Sequence, residues 1–265
     1  MKISVITINY NNLAGLEETF SSVVNQSYSD KEYILVDGGS TDGSKEFIEA
    51  NADKLTYWVS EKDNGLYNAM NKGIQKSIGD YLIFMNSGDI FFNRDVLSEV
   101  FIKEHTADIL CGSTIYKYQQ GGALRKPRPL NVMEYELPFC HQSCFIKGAL
   151  MRNSLYDESY RFIADYAFFY RCYKEGKSFE LVPKIVSIYD TTGVSADPKR
   201  AWIIYNEKCR VLNTRPSTMS YMMQQTKRSI KKTLKSLMPS VLIDFAKHRP
   251  VGSNEVCPIE TFQQL

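Results

Sequence analysis

The first 85 residues alternate between two hydrophobic patterns, and this alternation restricts the possible folds more than any other feature of the chain. Runs of β-branched and apolar residues, typical of buried strands, occupy 2–8, 32–36, 56–59 and 81–85. Between them, apolar residues recur at helical spacing, as at Leu13, Leu16 and Phe20. Strand–helix alternation predicts a parallel sheet covered by helices on both faces. We therefore expect an α/β fold with a Rossmann-like, mostly parallel central sheet.

Beyond Asn86 the alternation is less regular. The hydrophobic patterns there predict strands over 108–111 and 143–146, a hairpin over 114–128, a helix over 161–174, two short strands over 179–182 and 185–189, and helix from 199 onward. A domain boundary is expected near 213–216. The predicted organisation is a body of residues 1–213, divided into parts 1–112 and 113–213, and a helical extension of residues 214–265.

Composition excludes several protein classes. The chain has 265 residues, of which 43% are hydrophobic and 23% charged, so it is neither disordered nor fibrous. No apolar run approaches the roughly 20 residues that span a bilayer, and the first residues lack the apolar region of a signal peptide. Six Cys without a C-x-x-C pair indicate reduced thiols. We therefore expect a cytoplasmic protein.

Positive charge is concentrated near the end of the chain. Eight Lys or Arg and one acid lie between Arg215 and Arg249, whereas the net charge of the chain is only +2. This total is not that of a nucleic-acid-binding protein. Residues 219–249 have the pattern of a basic amphipathic helix. Two interpretations stay open, namely peripheral contact with the inner face of the plasma membrane and a solvated helix packed on the body.

Polar side chains follow three of the predicted strands. Asn9 follows the first strand, Asp37 ends the second, and Asn86 to Asp89 follow the fourth. In open α/β sheets, ligands bind beyond the carboxyl ends of the strands, and carboxylates there can hold a ribose hydroxyl or a divalent cation. The sequence contains neither the glycine-rich P-loop pattern nor G-x-G-x-x-G after the first strand, which excludes those two nucleotide-binding motifs.

Five segments together resemble the family 2 glycosyltransferases, which have the GT-A fold. They are VITINYNN (5–12), ILVDGGSTDGS (34–44), EKDNGLYNAMNKGI (61–74), GDYLIFMNSGD (79–89) and ADYAFFYR (164–171). The resemblance covers about residues 2–190 and is strongest to bacterial non-processive enzymes that build capsule, exopolysaccharide or lipopolysaccharide. It implies an inverting hexosyltransferase that uses a nucleotide-diphosphate sugar, with UDP favoured over GDP, and a glycan or lipid-linked acceptor.

The resemblance also implies roles for individual residues. The nucleotide-sugar site would contain Thr7, Asn9, Asp37, Asp63, Asn86, Asp89 and His141. Of these, Asp37 would contact uracil or ribose, and Asp89 would ligate Mg²⁺ or Mn²⁺. Asp165 would be the general base that takes the proton of the acceptor hydroxyl. A metal and a base fit this chemistry, because a diphosphate leaves while a hydroxyl loses its proton.

Other interpretations of these residues stay open. Asp37 could cap the turn that follows it, Asp63 could cap the next helix, and His141 could be a structural histidine. The sequence also departs from the family pattern, because relatives often have an acid at the place that Asn86 or Gly88 holds here, depending on the alignment, and another at the place of Ala164. The alternative function is therefore a non-catalytic nucleotide-sugar-binding relative whose site has decayed.

Overall fold

The architecture is a single sheet with helices packed against both of its faces. The structure is a computed structural model that describes residues 1–192, 200–223, 225–226, 259 and 262. Its strands are β1 (Ile3–Asn9), β2 (Lys31–Asp37), β3 (Tyr57–Ser60), β4 (Tyr81–Phe84), β5 (Ile90–Phe91), β6 (Ile109–Tyr118), β7 (Gly121–Arg125), β8 (Cys144–Lys147) and β9 (Phe179–Asp190). Its α-helices are α1 (Leu13–Val24), α2 (Ser44–Ala50), α3 (Leu66–Lys76), α4 (Val96–Val100), α5 (Gly148–Asn153), α6 (Ala164–Lys174) and α7 (Ala201–Val211). Short 3-10 helices cover Ala52–Lys54, Leu130–Glu134 and His141–Ser143.

The strand order is β3-β2-β1-β4-β8-β6-β9-β5, and β7 pairs with β6 outside this path. The first four strands are parallel, as the alternating pattern predicts. The second half is mixed, because β8 is antiparallel to β4 and β6, whereas β9 is parallel to β6. The first four strands are parallel because a helical crossover follows each of β1, β2 and β3. In the second half, β6 and β7 form an antiparallel hairpin instead. The predicted α/β class is confirmed.

Alternate side chains of the strands enter two separate cores. Ile3 and Val5 pack with α1, α2 and α4 on one face, whereas Ile6 and Ile8 pack with α3 and α6 on the other. The strands are buried on both faces, which explains why their sequences are continuously apolar rather than alternating. Both cores end where the parallel strands end, so the polar residues that follow β1, β2 and β4 emerge at one edge of the sheet.

Two sequence-based predictions are wrong in detail. The two short strands expected around Pro183 form the single strand β9. Its pairing with β6 is irregular between Cys111 and Thr114, and this irregularity accommodates the proline that cannot donate a hydrogen bond to the ladder. The helix expected from 199 onward is interrupted. Helix α7 ends at Val211, Asn213 has a φ of 51°, and helical residues resume at 218–223 and 225–226.

Most of the predicted extension 214–265 lies outside the described residues, and so does most of the segment 219–249. The division of the chain at residue 213 stays a prediction. In the described part, Phe262 is buried against Ile115 and Leu124 of the β6–β7 hairpin. None of the described helices has both the length and the apolar character that crossing a bilayer requires.

Candidate active site

A cavity of about 1520 Å³ opens at the edge of the sheet where β1, β2 and β4 end. Six of the predicted site residues line it, namely Asn9, Asp63, Asn86, Asp89, His141 and Asp165. The remaining two, Thr7 and Asp37, do not contribute to its walls. Since pockets for one drug-sized ligand measure roughly 300–1,000 Å³, this cavity has room for more than one substrate.

Asn9 and Asp37 lie opposite each other at the ends of β1 and β2, because the parallel register pairs them directly. The Asn9 amide donates to Oδ1 of Asp37 over 2.9 Å. The Asp37 carboxylate also accepts from the hydroxyls of Ser40 and Ser60 and from the backbone N–H groups of Gly39 and Ser40. Burial tends to raise the pKa of Asp37, but these hydrogen bonds outweigh it and hold the pKa below its usual value. In this structure Asp37 therefore organises the turn at 38–40.

Thr7 lies in β1 but is directed away from the cavity. Its hydroxyl donates to the carbonyl oxygen of Met85 over 2.7 Å and contacts the Tyr33 hydroxyl at 3.1 Å. The side chain is completely buried. The geometry thus places Thr7 between strands, where it ties β1 to the residue after β4.

Asp89 ends a turn that α1 holds in place. The Thr19 hydroxyl donates to the Asp89 carbonyl oxygen and accepts from the Gly88 N–H. Gly88 has a φ of 101°, a conformation that favours glycine. Consequently the chain turns sharply at Gly88 after β4, and Asp89 lines the cavity.

A second acid, Asp190 at the end of β9, lies beside Asp89. The Asp190 N–H donates to Oδ1 of Asp89 over 3.0 Å, and both residues line the cavity. Burial raises the pKa of Asp89 to about 8, with a further contribution from the negative charge of Asp190, although hydrogen bonds from the Asp190 N–H and the Gln142 side chain oppose it. The free site therefore holds a carboxyl that keeps its proton near neutral pH.

This raised pKa makes a prediction about stability. The unfolded chain releases the Asp89 proton near pH 4 and the folded protein near pH 8, so stability is lost as the pH rises between them. Over this range we expect the free energy of unfolding of the wild type to fall by on the order of 2–5 kcal/mol more than that of Asp89→Asn. Urea unfolding in EDTA at several pH values measures this. Parallel pH profiles for both proteins would contradict it.

Two buried amide oxygens in the cavity lack a partner in the structure. They are Oδ1 of Asn9 and Oδ1 of Asn86. Buried polar atoms are normally hydrogen-bonded, so these two oxygens have acceptor capacity that the described residues leave unused. Together with Asp89 and Asp190 they form a set of oxygen donors, which is the type that Mg²⁺ and Mn²⁺ prefer.

These side chains fit a metal site that the substrate phosphates complete better than a site in which the protein supplies every ligand. In the described part of the chain, no three His, Cys, Asp or Glu side chains form a metal-binding group. Mg²⁺ commonly uses one or two carboxylates and completes its shell with water and substrate phosphates. The residues present therefore fit a divalent ion that binds together with a diphosphate.

Asp165 lies in the first turn of α6 and lines the cavity. The Tyr67 hydroxyl, from the first turn of α3, donates to Oδ1 of Asp165 over 2.8 Å. Tyr67 is buried, so its ring is held by packing and fixes the direction of the bond. The Asp165 residue is half-buried and lines the cavity, so the hydrogen bond from Tyr67 holds a carboxylate at the cavity wall. Tyr67 thus positions the predicted base.

We expect Tyr67→Phe to lower turnover by about tenfold with little change in the KM for the donor, because the base loses an orienting hydrogen bond. The measurement is steady-state transfer with the donor varied. Tyr170→Phe is the matched control. Tyr170 lies in α6, the helix that carries Asp165, but its hydroxyl donates to Glu134 and neither residue lines the cavity. Equal losses in both variants, or a loss confined to KM, would argue against a positioning role.

His141 is buried beneath the cavity. Its Nε2 lies 2.8 Å from the Tyr156 hydroxyl, and its ring packs near Phe84 and Phe169. Burial lowers the pKa of His141, and the attraction of Asp165 only partly opposes this. A neutral histidine at this place is a hydrogen-bonding group and does not supply positive charge to a phosphate.

Asp63 lines the cavity beside Gly38, which lies in the turn after β2. A side chain at Gly38 would clash with Asp63, because an added Cβ would lie 2.6 Å from its Oδ2. The other oxygen of Asp63 accepts from the Gly65 N–H over 2.8 Å, ahead of the first turn of α3. Asp63 therefore borders the cavity and also shapes the loop before α3.

Three residues of the site were not assigned to it from the sequence. Tyr10 is exposed at the rim beside Gly38, Asp190 lies next to Asp89, and Tyr67 holds Asp165. Tyr10 directly follows Asn9 in the first motif, so its position after a strand was an available signal. Asp190 and Tyr67 have no such local signal, because each meets its partner only through the fold.

Comparison with known sequences identifies relatives. The family model described as "Glycosyl transferase family 2" matches residues 4–171. An uncharacterized glycosyltransferase of Mycobacterium tuberculosis is 32% identical over 208 residues, which cover 73% of this chain and 77% of the relative. A PGL/p-HBAD biosynthesis glycosyltransferase of Mycobacterium bovis is 32% identical over 180 residues, 64% of this chain and 69% of the relative. A cholesterol galactosyltransferase of Borreliella burgdorferi is 36% identical over 127 residues, 44% of this chain and 33% of the relative.

Solved structures share the fold. Staphylococcus aureus TarS 1-349 in complex with UDP-GlcNAc has a TM-score of 0.63 and 19% identity, covering 83% of this chain and 69% of that one. In a longer TarS chain the match covers 41% of the length. The mannosyltransferase PcManGT from Pyrobaculum calidifontis, in complex with GDP-Man and Mn²⁺, has a TM-score of 0.59 and 18% identity, covering 82% and 65%. These likenesses confirm the predicted GT-A fold, and the family match shows that the chain belongs to the family 2 glycosyltransferases.

Proposed function

We propose that this glycosyltransferase moves one hexose, with inversion, from a nucleotide-diphosphate sugar to an acceptor hydroxyl. The observation that carries the proposal is the arrangement of the cavity. Asp165, held by Tyr67, lines the same cavity as a group of residues with side-chain oxygens, namely Asn9, Asn86, Asp89 and Asp190. No step requires a protein nucleophile, because inversion needs only one displacement at the anomeric carbon.

We propose UDP as the nucleotide of the donor. The supporting observations are the UDP-GlcNAc complex of TarS and the turn beside Gly38, where Tyr10 offers an exposed ring to a base. The five hydrogen bonds at Asp37 support a role in holding this turn. Direct contact between Asp37 and uracil, as the resemblance implies, stays a prediction.

We propose that Asp89 is the main metal-ligating residue, with Asn86 and Asp190 as further oxygen donors near it. A bound Mg²⁺ or Mn²⁺ would neutralise charge on the departing diphosphate. Asn86 occupies a position where relatives often have an acid, and Asp190 supplies a carboxylate close to the same place from another strand. Support comes from the unpartnered oxygen of Asn86 and from the Mn²⁺ complex of PcManGT.

We propose Asp165 as the general base. The acceptor hydroxyl loses its proton as its oxygen bonds to the anomeric carbon, so a carboxylate must lie within hydrogen-bond reach of it. Asp165 borders the cavity and its position is fixed by the Tyr67 hydroxyl. Ala164 stands where an acid often precedes the base, and this position is buried and does not line the cavity, so the proposed base does not depend on it.

We propose a glycan or lipid-linked acceptor, as in the synthesis of bacterial surface polysaccharide. One relative has cholesterol in its name as the molecule that receives galactose. The cavity has room for an acceptor beside the donor, because its volume exceeds that of a pocket for a single small ligand.

Two measurements test the proposed function. The full chain is incubated with a panel of UDP- and GDP-sugars and Mn²⁺, and nucleotide release is followed with and without candidate acceptors. NMR of the product then compares its anomeric configuration with that of the donor. A β-linked product from an α-linked donor supports the proposal. Tight donor binding without any hydrolysis or transfer would support the non-catalytic alternative instead.

A further inference from the structure

Four large apolar side chains form an exposed surface on α7 and on the segment that follows it. Trp202 is 39% exposed, Met219 74%, Met222 63% and Met223 52%. We call these four residues the Trp–Met patch. Isolated exposed apolar residues are normal, but four of them on neighbouring segments indicate a surface that binds something apolar.

Aromatic contacts hold the two segments of the patch together. The ring of Trp202 stacks on Tyr205 at 5.6 Å and meets Tyr221 edge-on at 4.8 Å. The Tyr205 hydroxyl donates to the Ser217 carbonyl oxygen over 3.3 Å. These contacts pack Tyr221 against α7. In the helical residues 218–223, Met219, Met222 and Met223 recur at i, i+3 and i+4, so the three methionines share one exposed face.

After the buried Glu207, which accepts from the backbone N–H groups of Arg161 and Phe162, the sequence carries positive charge only as far as Ile243. From Lys208 to Ile243 the sequence contains eight Lys or Arg and no Asp or Glu. Apolar and aromatic side chains accompanied by cations match a bilayer surface that carries anionic headgroups. The same charge disfavours a second copy of this chain as the occupant, because the two cationic segments would repel each other.

The patch is adjacent in the chain to a residue of the cavity. Arg200 lines the cavity and caps the start of α7, and Trp202 follows it by two residues. A surface that receives this patch would hold the cavity close to molecules embedded in that surface. A lipid-linked acceptor is such a molecule.

We propose that the Trp–Met patch docks the enzyme on an anionic lipid bilayer. The methionines and Trp202 insert among the headgroups, while the lysines and arginines of the following segment attract the negative surface. The docking itself is independent of the reaction, and only its consequence, access to a lipid-linked acceptor, rests on the proposed function.

Binding of the full chain to vesicles tests this proposal. Co-sedimentation is compared for vesicles of phosphatidylglycerol with phosphatidylcholine and for vesicles of phosphatidylcholine alone. We expect binding to the anionic vesicles, reduced by high salt, and a partition about tenfold weaker for Met219→Gln/Met222→Gln/Met223→Gln. Ile78→Gln/Ile102→Gln is the matched control, since both isoleucines are exposed elsewhere on the protein and should not affect binding.

Fluorescence locates the contact directly. The chain has two tryptophans, so Trp58→Phe leaves Trp202 as the single reporter. We expect its emission to shift to shorter wavelength on anionic vesicles and to be quenched by brominated lipid. No vesicle binding, equal binding of the methionine variant, or an unquenched Trp202 in bound protein would each overturn the proposal. So would a concentration-dependent dimer of the wild type that the methionine variant fails to form.

Nucleotide release from the donor without acceptor is measured in parallel. The methionine variant should retain the wild-type rate, because the patch contributes no residue to the cavity. Normal vesicle binding with no nucleotide release would count against the proposed function while supporting the docking surface. Normal nucleotide release with no vesicle binding would overturn the docking surface while supporting the proposed function.

Discussion

Replacing Asp165 with Asn is expected to leave the affinity for the donor within a few-fold of the wild type and to lower turnover by roughly 10²–10⁴. The amide retains the size of the carboxyl and a hydrogen bond with Tyr67, but it cannot take a proton from the acceptor. In the proposed arrangement the donor occupies the part of the cavity near Asp89, so we expect its binding not to depend on the Asp165 side chain. Calorimetry measures donor affinity, and single-turnover transfer measures the chemical step.

Asp157→Asn is the control for Asp165→Asn. Asp157 is an exposed acid that lies outside the cavity, and its loss should leave turnover unchanged. Near-wild-type turnover of Asp165→Asn would remove the base assignment. A product with the anomeric configuration of the donor would also remove it, because retention requires a different mechanism.

Asp89→Ala is expected to weaken donor binding in Mn²⁺ by roughly 10²-fold or more and to abolish the difference between Mn²⁺ and EDTA. Asp89 lines the cavity and is the residue that we propose ligates the metal, so its removal takes away the carboxylate proposed to hold the ion beside the diphosphate. The fold should survive, because a buried carboxyl with a raised pKa does not stabilise it. Titration of UDP with and without EDTA measures the effect, and circular dichroism checks the fold.

Asp95→Ala provides the comparison for Asp89→Ala. Asp95 lies at the start of α4, outside the cavity, and its side chain makes no capping hydrogen bond. Its loss should leave UDP binding unchanged in both conditions. If the wild type binds UDP equally with Mn²⁺ and with EDTA, the metal role of Asp89 is wrong.

The first half of the fold follows from local patterns. Each buried strand is a short apolar run, and each crossover is an amphipathic helix. The positions of β1 to β4 along the chain could therefore be predicted from the sequence. The second half was less predictable, because its strands pair with distant partners and Pro183 interrupts the pattern of β9. Irregular pairing across a proline depends on the opposite strand and not on the local sequence.

The same distinction applies to the site. Parallel strands end at one edge of a sheet, so the positions of Asn9 and of the turn before Asp89 could be predicted from where their strands end. The side of the strand that Thr7 faces could not be predicted, because strands buried on both faces show no alternation of polar and apolar residues.

The sequence by itself determined the α/β class, the family, and six of the residues that border the cavity. Only the tertiary structure placed Asp190 beside Asp89 and Tyr67 against Asp165. The first two residues are 101 positions apart in the chain, and the second two are 98 positions apart. The physical reason is the range of the interactions. Periodicity and turn chemistry act over a few residues and are written locally, whereas these two contacts exist only because strand pairing and helix packing bring separate segments to one edge of the sheet.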